Sequence, residues 1–291
     1  MHREALFVSG RGGYFRYRIP ALAVTGDGTV LAFCEGRRTN GRDDDEIDLL
    51  LRRSTDGGVT WGPVQKVASD GDHTCGNPCV VVDRETGVVF LLWCRDCQDV
   101  LVCHSDDAGR TWSEHTDMTA EARPFERCYV GTGPGHGIQL RGGRLLVPCW
   151  VDEPEGPVTW RDPPPNWGPV QSSYCVYSDN HGATWRCGER LAHNKSDECE
   201  AVELSDGRVY MTLRARPLPG RRGFATSDDG GRTWSDVQLD SAVADPDCQG
   251  SIVRYEGRRV LLANLDGTER RANLTIRLRE DECASWAAAR G

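Results

Sequence analysis

The stretch STDGGVTW, residues 54–61, decides how the chain is read, because it recurs. SDDAGRTW stands at 105–112 and SDDGGRTW at 227–234, while SDNHGATW at 178–185 keeps the pattern with Asn180 in the Asp position. A fifth, decayed copy, REDECASW at 279–286, retains Asp281, Ser285 and Trp286. The copies start 51, 73, 49 and 52 residues apart, and the long interval holds a Pro-rich insertion at 152–169. In each box the Ser and Asp can bond backbone groups of a tight turn, and the Gly supplies a left-handed position. The Trp is left to cap a core between repeats. The box therefore reads as a structural turn, and its Asp as non-catalytic.

Around the boxes the chain reads as strands. DLLLRRS, VLVCHS and SSYCVYS precede them, and GPVQKVAS and SDVQLDS follow. Apolar runs broken by D-G and G-G turns every ten or so residues predict four short strands per unit. A repeat of about 50 residues with four strands is a propeller blade. Five boxes end five blades. The early segment EALFV is expected to form a strand that pairs with a last blade, and that blade is expected to be missing. A propeller short of a blade exposes sheet edges and apolar faces, so self-association is expected.

Composition removes several alternatives. The chain has 291 residues, 38% of them hydrophobic, and no run of 18 apolar residues, so no membrane span is encoded. The apolar stretch in MHREALFVSGRGG is too short for a signal-peptide core, and a cytoplasmic location is the expectation. The net charge of −9 argues against a broad nucleic-acid footprint, though it leaves room for a local basic pocket. All but two of the 35 basic residues are Arg, which supplies forks suited to carboxylates. The thirteen cysteines read as reduced, buried thiols. Cys94 and Cys97 have the spacing of half a zinc site, but no second C-x2-C follows, so no metal is expected.

The chemistry lies between the boxes. YRIP at 17–20 follows GRGGYF. Then come the acidic cluster GRDDDEIDLLLRRS at 41–54, GPGHGIQLRGGRLLVP at 133–148, DECEAVELSDGRVYMTLR at 197–214 and RRANLTIRL at 270–278. Together, in this order and beside Asp-boxes (BNR repeats), these segments resemble the sialidase (neuraminidase) family over nearly the whole chain. The resemblance implies an all-β fold, a six-bladed β-propeller of sialidase type truncated in its last blade, with residues 1–291 as a single domain. It implies an exo-α-sialidase, a glycoside hydrolase that removes terminal sialic acids from oligosaccharides, glycoproteins or glycolipids with retention of configuration. Its partner is a sialylated glycan, and it needs no cofactor.

The implied site residues make physical sense. A sialic acid carries a carboxylate on its anomeric carbon, and converging Arg forks from separate blades can clamp it. The clamp maps to Arg18, Arg214 and Arg271, with Arg216 the rival of Arg214 and Arg37 a further contact. Asp43 maps to the general acid/base, with Asp44 and Asp45 as rivals. Its acidic neighbours are expected to help hold a proton on it. Glu198 maps to the residue that draws the proton from a nucleophilic Tyr, with Glu200 and Glu203 as rivals.

One element departs from the family. Its nucleophilic Tyr lies beyond the last box, and this chain has no Tyr after Tyr255. Tyr174, Tyr210 and Tyr255 read as strand residues, and Tyr177 as part of a box. Two explanations stand: a fragment lacking its sixth blade, or a sialic-acid-binding propeller without turnover. A third reading, a scaffold that binds no sugar, predicts that Arg18, Arg214 and Arg271 do not converge. Linkage preference and oligomeric state are open, and the Pro-rich insertion reads either as rim of the site or as plain loop.

Overall fold

The structure, a computed structural model, describes residues 4–124, 126, 128–158, 160, 168–192, 196–216, 220–283 and 287–290. Antiparallel sheets follow one another along the chain. Blade I is β1 (Arg16–Val24), β2 (Val30–Arg37), β3 (Ile47–Ser54) and β4 (Gln65–Ala68). Blade II is β5 (Cys75–Val82), β6 (Val89–Arg95), β7 (Asp99–Ser105) and β8 (Thr116–Asp117), followed by a single turn of helix, Thr119–Ala122. The GPGHGIQL segment then threads between blades: β9 (Tyr129–Thr132) pairs with blade III, and β10 (Gly135–His136) adds to β5 in parallel. Blade III continues with β11 (Ile138–Gln139), β12 (Leu145–Glu153), β13 (Val170–Ser178) and β14 (Arg186–Cys187). Blade IV is β15 (Ser196–Glu203), β16 (Val209–Ala215), β17 (Gly223–Ser227) and β18 (Gln238–Leu239). Blade V is β19 (Ser251–Glu256), β20 (Arg259–Leu265), β21 (Leu274–Arg279) and β22 (Ala287–Arg290). The fold is an all-β propeller with five blades among the described residues, one for each box, where the resemblance implies a six-bladed type truncated in its last blade.

The boxes join the third and fourth strands of each blade. In the second box Asp107 accepts the Thr111 N–H at 2.9 Å and the Thr111 hydroxyl at 2.6 Å, while Ser105 Oγ accepts the Gly109 N–H at 2.8 Å. Asn180 serves equally in its box: its Oδ1 accepts the Thr184 N–H, and its Nδ2 donates to the Thr184 hydroxyl. Ser285 and Trp286 of the fifth box lie outside the described residues. The box tryptophans pack backwards. Trp112 of blade II meets Phe33 of blade I edge-on at 5.8 Å, and Trp185 of blade III meets Phe90 of blade II at 5.8 Å. Trp234 of blade IV packs on a cluster holding Leu146, Cys175 and Tyr177 of blade III.

Two features differ from expectation. EALFV forms no strand: none of the described strands pairs with it, and it lies along blade I instead. There the Leu6 carbonyl accepts from Arg52 Nη1 at 3.0 Å, and Phe7 packs on Tyr17. Second, blades I and V each leave an apolar stripe in solvent. Leu22 and Val24 are exposed on β1, Val253 and Tyr255 on β19, and Leu274 and Ile276 on β21. Stripes at spacing two are what a strand presents when one face of its sheet has no neighbour. The cysteines follow expectation: all thirteen are free thiols, ten of them buried. No helix of the described residues is long and apolar enough to cross a membrane.

Candidate active site

Three inner strands break register at the same level. The pairing of β1 shifts between Arg18 and Ala21, that of β5 between Gly76 and Cys79, and that of β15 between Ser196 and Cys199. Bulges re-aim side chains at such points. Ile19 and Asn77 take left-handed backbone angles, φ 54° and 56°, each just before a proline that has no N–H for the ladder. The residues at and beside these breaks, Arg18, Ile19, Gly76, Asn77, Asp197 and Glu198, all line one cavity of about 260 Å³. Arg37 and Asp43 of blade I, Trp150 and Gln171 of blade III, Arg214 and Arg216 of blade IV, and Arg271 of blade V border it too. All six residues proposed from sequence therefore meet, and the scaffold reading, which required the arginines to stay apart, fails. Trp160 also lines the cavity, its indole N–H donating to Thr74 Oγ1 at 3.1 Å, so part of the Pro-rich insertion forms the rim.

Asp43 stands apart from its rivals. Asp45 is buried and accepts backbone N–H groups of Thr39, Asn40 and Gly41, which shapes the loop. Asp44 pairs with Arg42. Asp43 instead reaches the cavity, where its Oδ1 accepts from Arg18 Nη1 at 3.0 Å and Arg37 Nη1 at 2.7 Å. This corrects the expected electrostatics. Burial pushes Asp43 up, but Arg37, then Arg18 and Arg271, outweigh it and hold the carboxyl below its ordinary range. The acidic neighbours are spent on Arg42 and on the loop, so in the free protein Asp43 is ionised at neutral pH.

Arg37 is less open than a ligand fork. It is fully buried and donates from Nε and Nη2 to Glu35 Oε2 at 2.9 and 2.6 Å, and from Nη1 to the Gly41 carbonyl and Asp43. Four of the five guanidinium N–H groups are thus committed. Glu35, which the sequence reading missed, sits two residues earlier on β2 and so shares its face. The Asn77 N–H, at 2.9 Å, is its other donor.

The opposite wall is a carboxylate–guanidinium lattice. Glu198 Oε2 accepts from Arg214 Nη1 at 3.0 Å, and Asp247 Oδ1 accepts from Arg214 Nε at 2.6 Å. Burial and the neighbouring Asp197 charge raise Glu198, against the lowering effect of Arg214. Its rivals face elsewhere. Glu200 is buried between blades, accepting from Ser251 Oγ and the Ile252 N–H with His136 beside it, and Glu203 pairs with Arg141. Arg271 Nη2 donates to the Asp247 carbonyl at 2.8 Å. None of the seven tyrosines borders the cavity. Tyr174 is buried with its hydroxyl on the Ala122 carbonyl, Tyr177 lies under Arg144, Tyr210 stacks on Phe224, and Tyr255 is out on blade V.

Comparison with known proteins agrees with this geometry. Residues 28–290 match the family described as BNR repeat-like domain. A sialidase of Micromonospora viridifaciens is 35% identical over 99% of this chain and 48% of its own length. Sialidase-2 of Cricetulus griseus is 32% identical over 88% of this chain and 72% of its own. The solved structure of a Hadza microbial sialidase superposes with a TM-score of 0.84 at 25% identity, covering 97% of this chain and 59% of that one. The chain spans 48–65% of the length of the relatives it matches first. With its boxes, its propeller and these relatives, the chain belongs to the sialidase family.

Proposed function

We propose that this chain carries the substrate clamp and the acid/base of an exo-α-sialidase acting on terminal sialic acids of oligosaccharides, glycoproteins or glycolipids with retention. The observation behind the reading is the meeting of Arg18, Arg214 and Arg271, from three blades, with Asp43 and Glu198 in one cavity. In this reading the three guanidiniums take the sugar carboxylate. The sugar carboxylate draws Arg18 away from Asp43, which then takes a proton from solvent, passes it to the departing glycosidic oxygen and later activates water, while Arg37 holds Asp43 in place. Glu198 receives the proton of a tyrosine, whose neutral phenol approaches the anomeric centre without repelling the carboxylate beside it. The proposal includes a sixth blade that packs on the exposed stripes of blades I and V and brings that tyrosine. A sialylated glycan is the partner, and side chains alone supply the proton transfers.

The test pairs two measurements. Calorimetry reads binding of a 2,3-didehydro sialic acid analogue to residues 1–291, and a fluorogenic sialoside reads hydrolysis by this chain and by one extended in its genomic frame. Binding by both with hydrolysis only by the longer chain is expected. Failure of both to bind overturns the reading. Binding with no hydrolysis by either favours the non-catalytic sialic-acid-binding propeller.

A further inference from the structure

Arg216 follows Arg214 at spacing two, on the same face of the chain at the end of β16, and borders the same cavity. It is tied on three sides. Nε donates to Asp247 Oδ1 at 2.9 Å, Nη2 stands 3.2 Å from Asp197 Oδ2, and Nη1 donates to Gln171 Oε1 at 3.2 Å. Gln171 is itself buried and anchored through Nε2 to Asp152 Oδ2 at 2.6 Å. The oxygen that receives Arg216 is the one that receives Arg214 Nε, and the Asp247 carbonyl receives Arg271. A fixed guanidinium fork is suited to hold such an array.

We propose that Arg216 is a positioning residue for the anion clamp: through the shared carboxylate of Asp247 it fixes Arg214 and Arg271, and its charge keeps their wall fit to receive an anion. The inference deepens the sialidase reading and depends on it. The charged groups facing Arg216 are Asp197, Glu198 and Arg214 of blade IV and Asp247 of the following loop, with Asp152 behind Gln171 and Arg271 beyond Asp247. With Arg216, two guanidiniums face the three carboxylates of Asp197, Glu198 and Asp247. Without it one guanidinium faces three, and an incoming carboxylate meets a more negative wall. Acid relieves part of that defect, since Glu198, raised by burial and the neighbouring Asp197 charge, takes up a proton as the pH falls.

The experiment is calorimetric binding of the 2,3-didehydro sialic acid analogue to the full chain at pH 5 and pH 7, with thermal unfolding as the check on folding. Arg216→Met is expected to weaken binding about tenfold at pH 7, the scale of losing a charge-assisted support. At pH 5 the deficit shrinks. Arg216→Lys keeps the charge without the fork, so it recovers the wild-type pH dependence and only part of the affinity. Asp247→Gly, whose residue suits the φ of 59°, carries the test should the Met variant not fold; it is expected to lose about tenfold in affinity by releasing Arg214. Binding by the Met or Gly variant within twofold of wild type overturns the proposal, as does a Met deficit equal at both pH values, which marks a packing role. Wild type that does not bind at all overturns the sialidase reading first.

Discussion

Replacing Arg37 by Met tests whether the buried charge cluster of blade I is set by pairing. The Arg37 and Glu35 side chains are 2% and 3% exposed. Arg37→Met strips Glu35 of its two guanidinium N–H bonds and leaves the Asn77 N–H, while the Gly41 carbonyl loses its donor. Removing one partner of a buried ion pair costs about 3–5 kcal/mol, because the other charge remains buried. For a chain of this size that corresponds to a fall in Tm of about 6–20 °C. Burial raises Glu35, with Arg37 and the Asn77 N–H opposing it. A carboxyl whose folded pKa is raised destabilises the fold above that pKa, and the penalty fades as pH falls toward the unfolded value. The deficit of Arg37→Met is therefore largest near pH 8 and smaller near pH 5. The double variant Glu35→Gln, Arg37→Met removes both charges and returns to within about 1 kcal/mol of wild type. Urea unfolding followed by tryptophan fluorescence at the two pH values reads all three proteins. A single variant within about 1 kcal/mol of wild type at pH 8, or a double variant no more stable than the single, refutes the pairing argument.

Asp43 shares Arg18 with any carboxylate ligand, so binding of the didehydro analogue is expected to weaken the pull that holds its carboxyl low and to be accompanied by proton uptake that grows as the pH falls. Calorimetry in buffers of different protonation enthalpy measures it, and Asp43→Asn abolishes it while retaining binding. In a catalytically complete chain, Asp43→Asn lowers hydrolysis of aryl-free sialosides by about 10²–10⁴-fold. In the boxes, Asp107→Asn is expected to be nearly neutral in thermal unfolding, since Asn180 already performs the same task. Asp107→Ala, which strips the turn of its acceptors, loses about 1–3 kcal/mol. The pair Leu274→Lys, Ile276→Glu on the open face of blade V is expected to reduce self-association in analytical ultracentrifugation without changing ligand affinity. A monodisperse wild-type monomer at high concentration counts against an adhesive face.

The turns were the most legible part of the chain because their bonds are local. Ser105, Asp107, Gly109 and Thr111 answer one another within a few residues, so spacing alone reveals them. Arg18, Asp43, Glu198, Arg214 and Arg271 were legible through segment order and family resemblance, and they do meet in one cavity. What spacing could not convey was how their valences are spent. Asp43 takes its charge state from Arg37 and Arg18, not from the adjacent acids. Arg37 is committed to Glu35, and Asp247, which ties Arg214, Arg216 and Arg271 together, lies in a loop with no periodic signal. EALFV reads as a strand from its residues, yet a strand is a property of its neighbours too, and none of the described strands pairs with it.

The backward packing of the box tryptophans makes the ring directional. Blade I is sealed by Trp112, blade II by Trp185 and blade III by Trp234, each a lid carried by the blade that follows. Stability in stacked repeats is close to a sum of unit and nearest-neighbour terms. Here each of these box tryptophans adds to that neighbour term a lid on the blade before its own. Damage in one blade should therefore travel toward the N-terminus: loosening blade IV uncovers the core of blade III, whereas loosening blade I leaves blade II its lid. Amide exchange in a Trp234→Ala variant should accordingly quicken in β12 and β13 while β6 and β7 keep their protection.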